Sequence, residues 1–109
     1  MLTRGLPAEE RFSLTDQIRR SSRSVGANIV EAWRKRRYEA AFVSKLSDAD
    51  AEGAETQYWL EQAVACGYFT PEVARPLYRE YDEILAMLVA MMTKPEKWTL
   101  PGHPTKRGA

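Results

Sequence analysis

The 109-residue sequence predicts an all-α protein, an up-down antiparallel helical bundle of three main helices. Apolar residues recur at steps of three and four along most of the chain, the spacing of one buried stripe on a 3.6-residue helix. Glycine and proline punctuate it at only a few junctions, so the periodic stretches are long and the turns between them short. Amphipathic helices joined by short turns pack as antiparallel neighbours. No alternating strand pattern, internal repeat or low-complexity tract competes with this reading.

The first helix is expected over about residues 14–36. Pro7 suits the first position of a helical turn, which makes residues 7–12 a short lead-in. Ser13 with Asp16, or Thr15 itself, offers a side-chain cap to the helix that follows. Leu14, Ile18, Ser21, Val25, Asn28 and Ala32 form the stripe, flanked by Ser22, Ile29 and Trp33. Its middle is small-sided, which lets a neighbouring backbone come close. Asn28 is expected to make a buried hydrogen bond that fixes helix register. No Gly or Pro marks the end. Carrying the heptad onward would put Lys35 and Glu39 in the apolar seam, so a break is expected near Arg37–Tyr38, with one long continuous helix as the alternative.

The second helix is expected from about Glu39 to Cys66. Phe42, Leu46, Ala49, Gly53, Thr56, Leu60 and Ala63 keep the four-three rhythm without a miss. Gly67 is a natural stop, because glycine takes the left-handed conformation of a helix end without steric cost. Thr70-Pro71-Glu72 is a start signal: a cap, then proline, then an acid at the positive helix end. Pro76 lacks an N–H and crowds the carbonyl of Glu72. A short turn from Pro71 is therefore expected, then a main helix from about Pro76 to Thr93 with Leu77, Tyr81, Ile84, Leu88 and Met91 as its stripe. Pro95 closes it.

The chain thus reads as one bundle domain over residues 1–94 and a flexible tail over 95–109, where Pro101, Gly102 and Pro104 follow in close order. Its longest apolar run, Ile84 to Met92, is nine residues, against the roughly 20 of a membrane span. Lone Cys66 forms no internal disulfide, suits a reducing cytoplasm, and is expected as a small core residue. Val30, Val43, Tyr58, Trp59, Met87, Val89 and Met92 lie off the stripes. Stripes this wide imply a second buried contact, most simply another copy of the chain. The Met87, Met91 and Met92 cluster is read as core or subunit interface.

Net charge is only +1, but residues 11–37 carry eight basic side chains against Asp16 and Glu31. Arg19, Arg20, Arg23, Arg34, Lys35, Arg36 and Arg37 are the candidate nucleic-acid-binding residues, because a row of cations on one helix face neutralises phosphates and releases counterions. Trp33 and Tyr38 stand beside the densest part of the row, where aromatic rings stack on bases. The competing reading pairs these cations with Asp48, Asp50, Glu52 and Glu55 on the second helix, and Glu31 with Lys35 at i, i+4. Asp48, Glu52 and Glu55 share a face, yet a di-metal bundle needs Glu-x-x-His pairs, and the single histidine is His103 in the tail. No metal or cofactor is expected. Asn28 and Glu31 have no His, reactive Cys or phosphate loop beside them, so no enzymatic constellation is recognised.

The run EERFSLTDQIRRSSRSVGANIVEAW resembles the signature of a bacterial family of small four-helix-bundle proteins, the 23S rRNA-intervening sequence proteins. The accessory variability proteins of diversity-generating retroelements look like relatives of that family. Matching residues are Glu10, Arg11, Phe12, Leu14, Gln17, Arg19, Arg20, Ser24, Asn28, Ile29 and Glu31, then Phe42, Leu46, Ala49, Glu52, Glu55, Thr56, Gly67 and Tyr68. The resemblance implies an up-down bundle assembling into a homopentamer, with a basic surface for RNA, DNA or a nucleic-acid enzyme such as a reverse transcriptase. It carries no catalytic residues. The family's usual first helix has no counterpart ahead of Glu10. Either the recorded start falls late, or this is a three-helix variant whose groove needs a partner. Where relatives usually have a glycine after N-I-x-E, Ala32 stands here, so the first helix is expected to run longer. The functional expectation is a non-enzymatic, cytoplasmic homo-oligomer that contacts nucleic acid or a nucleic-acid-processing partner. The alternative is a structural assembly protein whose charges are used in inter-subunit ion pairs.

Overall fold

A computed structural model describes residues 7–101 of the chain. Three helices, α1 (Pro7–Arg34), α2 (Glu39–Ala65) and α3 (Pro71–Thr93), are followed by a single 3₁₀ turn, Pro95–Lys97. Among the described residues there is no strand, and the helices run up, down and up as an all-α antiparallel bundle. None is long and apolar enough to cross a membrane.

The first helix begins at Pro7, half a dozen residues earlier than expected. Nothing between Pro7 and Leu14 breaks a helix, and Glu9 and Glu10 complement the positive end of its dipole. The expected lead-in turn is simply its first turns. Thr15 does not cap; its hydroxyl donates to the Arg11 carbonyl one turn back, at 2.9 Å. At the other end the break falls where expected and the continuous-helix alternative is excluded. After Arg34 the chain tightens through Lys35 N–H to the Ala32 carbonyl and Tyr38 N–H to that of Lys35. Tyr38 then turns extended, at φ −121° and ψ 103°, and α2 starts.

Every member of the second stripe, Phe42 through Ala63, is buried, and Gln57 joins it. Gly67 sits at φ +79°. Its N–H donates to the Val64 carbonyl and that of Tyr68 to the Ala63 carbonyl, which satisfies two groups the helix end leaves over. Thr70 Oγ1 accepts from Val73 N–H at 3.2 Å and caps α3. Here the structure differs from expectation, because α3 runs without a break through Pro76. Pro76 and Glu72 are both exposed, so the carbonyl that loses its helical donor faces water.

The second helix is the middle of the bundle: α1 packs on one side and α3 on the other, and α1 and α3 do not meet along their backbones among the described residues. Phe42, Leu46 and Ala49 form the core with Ala32 of α1 and Leu88 of α3. Ile29, Val43, Ile84, Leu85, Met91 and Met92 close around them. Register between α1 and α2 is set by Thr56, whose hydroxyl donates to that of Ser21 at 2.7 Å, both side chains fully buried. Asn28, expected in that role, instead donates to the Ser24 carbonyl of its own helix at 2.9 Å. Between α2 and α3 the buried Gln57 amide donates to the Tyr78 carbonyl and to Asp82.

Gly53 is the close approach. A Cβ there would lie 2.6 Å from a terminal methyl of Leu85. That methyl can rotate aside, and alanine is favoured over glycine in a helix by about 0.8–1 kcal/mol. Gly53→Ala is therefore expected to change stability by less than about 1 kcal/mol, whereas Gly53→Leu forces α3 outward and costs about 1–3 kcal/mol. Urea titration of the two variants checks this.

Tyr68, just past α2, donates its hydroxyl to Glu10 at 2.6 Å and ties down the start of α1. The hydrogen bond to that carboxylate pushes its pKa from 10.0 up to about 12. A raised folded-state pKa means the tie is intact below pH 10 and is lost as pH rises through about 12. An absorbance titration at 295 nm should show a late tyrosine step that Tyr68→Phe removes.

Three further expectations need correction or extension. Cys66 is exposed, not core, because it caps α2 at the bundle's end. Met87 also points to water, while Met91 and Met92 pack on the core. The expected loose tail is placed as far as Pro101: Trp98 packs on Trp33, and Leu100 N–H donates to the Arg36 carbonyl at 3.0 Å. Residues 102–109, His103 among them, lie outside the described residues.

Candidate nucleic-acid interface

The cations of α1 fall into two groups that sequence order alone does not separate. Arg19 and Arg20 point toward acids. Arg19 reaches Asp16 at 3.3 Å on its own helix. Arg20 crosses to α2 and is held by both Glu52 and Glu55 while hydrogen-bonded to Gln17. Glu55 also accepts from the Trp59 indole N–H at 2.9 Å. That bond, with Arg20 beside it, holds the Glu55 carboxyl below its ordinary range. Here the carboxylate face of α2 is an ion-pairing surface, as the competing reading has it, and a cation in this clasp must break two contacts to greet a phosphate.

Arg23, Arg34 and Arg37 make no ion pair or hydrogen bond among the described residues. Lys35 acts on Glu31 only through space, because Glu31 is taken by Lys45 of α2 at 2.8 Å. That contact lowers the Glu31 pKa and raises that of Lys45. Arg23 lies eleven residues before Arg34, about 16 Å along nearly the same helical line. Arg36 turns back: its Nε donates to the Trp33 carbonyl at 3.0 Å and its guanidinium lies 3.9 Å from the centre of the Trp33 ring.

These residues enclose a cleft of about 360 Å³ at the α1–α2 turn, lined by Trp33, Arg34, Arg36, Arg37, Tyr38 and Leu100. Among the described residues no carboxylate lines it. Trp33 remains 43% exposed. Cations at this helix end also have a structural use, since each offsets the negative pole of α1 by about 0.3–1 kcal/mol. That accounts for Arg34 in the last turn, but less readily for the cations and exposed rings that follow it.

The fold adds members that the sequence reading missed. Trp98 packs against Trp33 with ring centres 6.5 Å apart and planes tilted by 58°. On its other side it borders a second cleft of about 340 Å³ with Lys94 and Lys97. Lys94 and Lys97 thus join the basic end of the bundle from a segment sixty residues away in the chain. The only signal available was a tryptophan three residues past a helix-ending proline.

Among the described residues no group of three His, Cys, Asp or Glu side chains is arranged to hold a metal ion. The geometry offers cations and aromatic faces, which is chemistry for binding a polyanion.

Residues 1–90 match the family model for the 23S rRNA-intervening sequence protein. The chain belongs to the 23S rRNA-intervening sequence protein family. No curated protein and no solved structure matches it. All seven cations expected to bind nucleic acid lie within the part that matches the 23S rRNA-intervening sequence family, whereas Lys94, Lys97, Trp98 and Leu100 fall after it.

Proposed function

We propose that this protein is a non-enzymatic, homo-oligomeric nucleic-acid-binding protein that engages RNA or DNA through the basic end of its bundle. The observation that carries the reading is the cleft at the α1–α2 turn, where Arg34 and Arg37 stand unpaired among the described residues beside an exposed Trp33. Arg23 and Lys35 extend this surface, and Arg19 and Arg20 are assigned to holding the fold. The family's name refers to large-subunit ribosomal RNA, which makes RNA the first polyanion to test. A nucleic-acid enzyme would meet the same cations. Self-association is supported by apolar side chains with nothing over them in a single chain, Val30 at 62% and Met87 at 63% exposed. Such surface on an α-helical protein is what a second copy covers.

A second reading is favoured by the Arg20 clasp: a structural assembly protein whose remaining cations pair with acids of neighbouring subunits. Affinity for mixed-sequence RNA and DNA, titrated against salt, separates the two. Phosphate contacts make log affinity fall with log salt by about 0.9 per neutralised phosphate on duplex DNA and about 0.7 on a single strand. A steep fall supports nucleic-acid binding. Absence of binding at low salt supports assembly alone.

A further inference from the structure

Resting on the nucleic-acid reading above, we infer that the cleft at the α1–α2 turn takes one unstacked base of a single-stranded nucleic acid, and that the protein prefers single strands to duplex. Three features of the cleft point the same way. Its volume of about 360 Å³ is at the small end of the roughly 300–1,000 Å³ of small-molecule sites. That is room for a single nucleotide.

Its wall is a ready-made stack. The Arg36 guanidinium already lies on the Trp33 ring at 3.9 Å, and both line the space a ligand would enter. Flat guanidinium and indole faces are what splayed bases stack upon, in a manner tolerant of sequence. In a duplex those faces are buried against neighbouring pairs, and a protein reaches only groove edges and phosphates.

The unpaired charges of α1 follow a single line that leads to the stack. Arg34 and Arg37 line the cleft itself, and Arg23 lies about 16 Å along α1 on the same line. A strand entering at the cleft and running along α1 meets this one line of cations. Trp98 and Leu100 brace this wall through Trp33 and the Arg36 carbonyl. Both lie beyond the family-matched residues 1–90, whereas the stack they brace lies within them.

The test compares a mixed-sequence single-stranded oligonucleotide with a hairpin duplex of equal length, at matched salt, on the intact protein. The single strand should bind at least about tenfold tighter. Loss of the Trp33–Arg36 stacking platform in Trp33→Ala should weaken single-strand binding about 5- to 150-fold. The slope against salt and the duplex affinity should stay as they were. Trp33→Phe keeps a stacking face and should restore most of the loss, which separates stacking from a loosened turn; circular dichroism confirms that each variant is folded. Equal affinity for the two forms, or a Trp33→Ala protein that binds single strands as tightly as the parent, overturns the base site while leaving polyanion binding in place. No binding of either form at low salt overturns the nucleic-acid reading itself.

Discussion

Phe42→Ala should bring the protein to the edge of unfolding. Phe42 is completely buried in a cluster to which all three helices contribute, with Ala32, Leu46, Ala49 and Leu88. Removing a phenyl ring from such a site costs about 3–5 kcal/mol, the lost transfer energy plus the cavity left behind. Domains of this size have about 5–15 kcal/mol to lose. Because α1 and α3 do not meet along their backbones among the described residues, the third helix depends chiefly on its grip on α2. In urea, where small proteins lose about 1–3 kcal/mol per molar, the midpoint should fall by about 2 M. Glu83→Ala, on the exposed side of α3, should leave it within about 0.5 kcal/mol of the parent. A Phe42→Ala midpoint close to the parent's would mean that the cluster is not the centre of the fold.

Neutralising Arg34, Lys35 and Arg37 together should have the largest effect on binding and little on folding. All three are exposed, and none is in an ion pair among the described residues, so replacing them by alanine breaks no built contact. Each phosphate contact contributes close to a factor of ten at about 0.1 M salt relative to 1 M. Affinity at about 0.1 M salt should therefore drop about 10²- to 10³-fold, and the dependence on salt should weaken by about 2 to 2.7 in the log–log slope. Thermal midpoints should shift only by the modest loss of charge at the negative end of α1. A variant that binds as well as the parent places the nucleic acid elsewhere. One that falls apart as an oligomer assigns the cations to subunit contacts.

Much of this architecture could be read from residue spacing, and the misses share a physical cause. The α2 stripe is legible because one helix buried on both flanks leaves no position in the rhythm for a charged intruder. Gly67 and Thr70-Pro71 are legible because backbone conformation and capping are local. Pro76 misled because the cost of a proline depends on whether the stranded carbonyl sees water, which is a property of the fold. The start of α1 lies earlier than the capping side chains indicate, because nothing between Pro7 and Leu14 breaks a helix.

The candidate site divides the same way. That residues 34–37 are cationic beside Trp33 is plain in the chain, as is the likeness to a helical-bundle family. That Arg20 is clasped by Glu52 and Glu55 while Arg23, one turn on, is not depends on the crossing of α1 over α2, some thirty residues away in sequence. Trp98 was invisible for the same reason, since its role exists only once α3 has returned the chain to the end of α1.

The cations at the α1–α2 turn, with Arg23, are available to a polyanion, and the paired Arg19 and Arg20 are not. Two variants titrated side by side against salt test this most directly: Arg34, Lys35 and Arg37 to alanine, and Arg19 and Arg20 to alanine. The account predicts a flattened slope for the first and an unchanged slope for the second. If removing Arg19 and Arg20 flattens the slope as much, or if neither change moves it, the division of labour along α1 is contradicted.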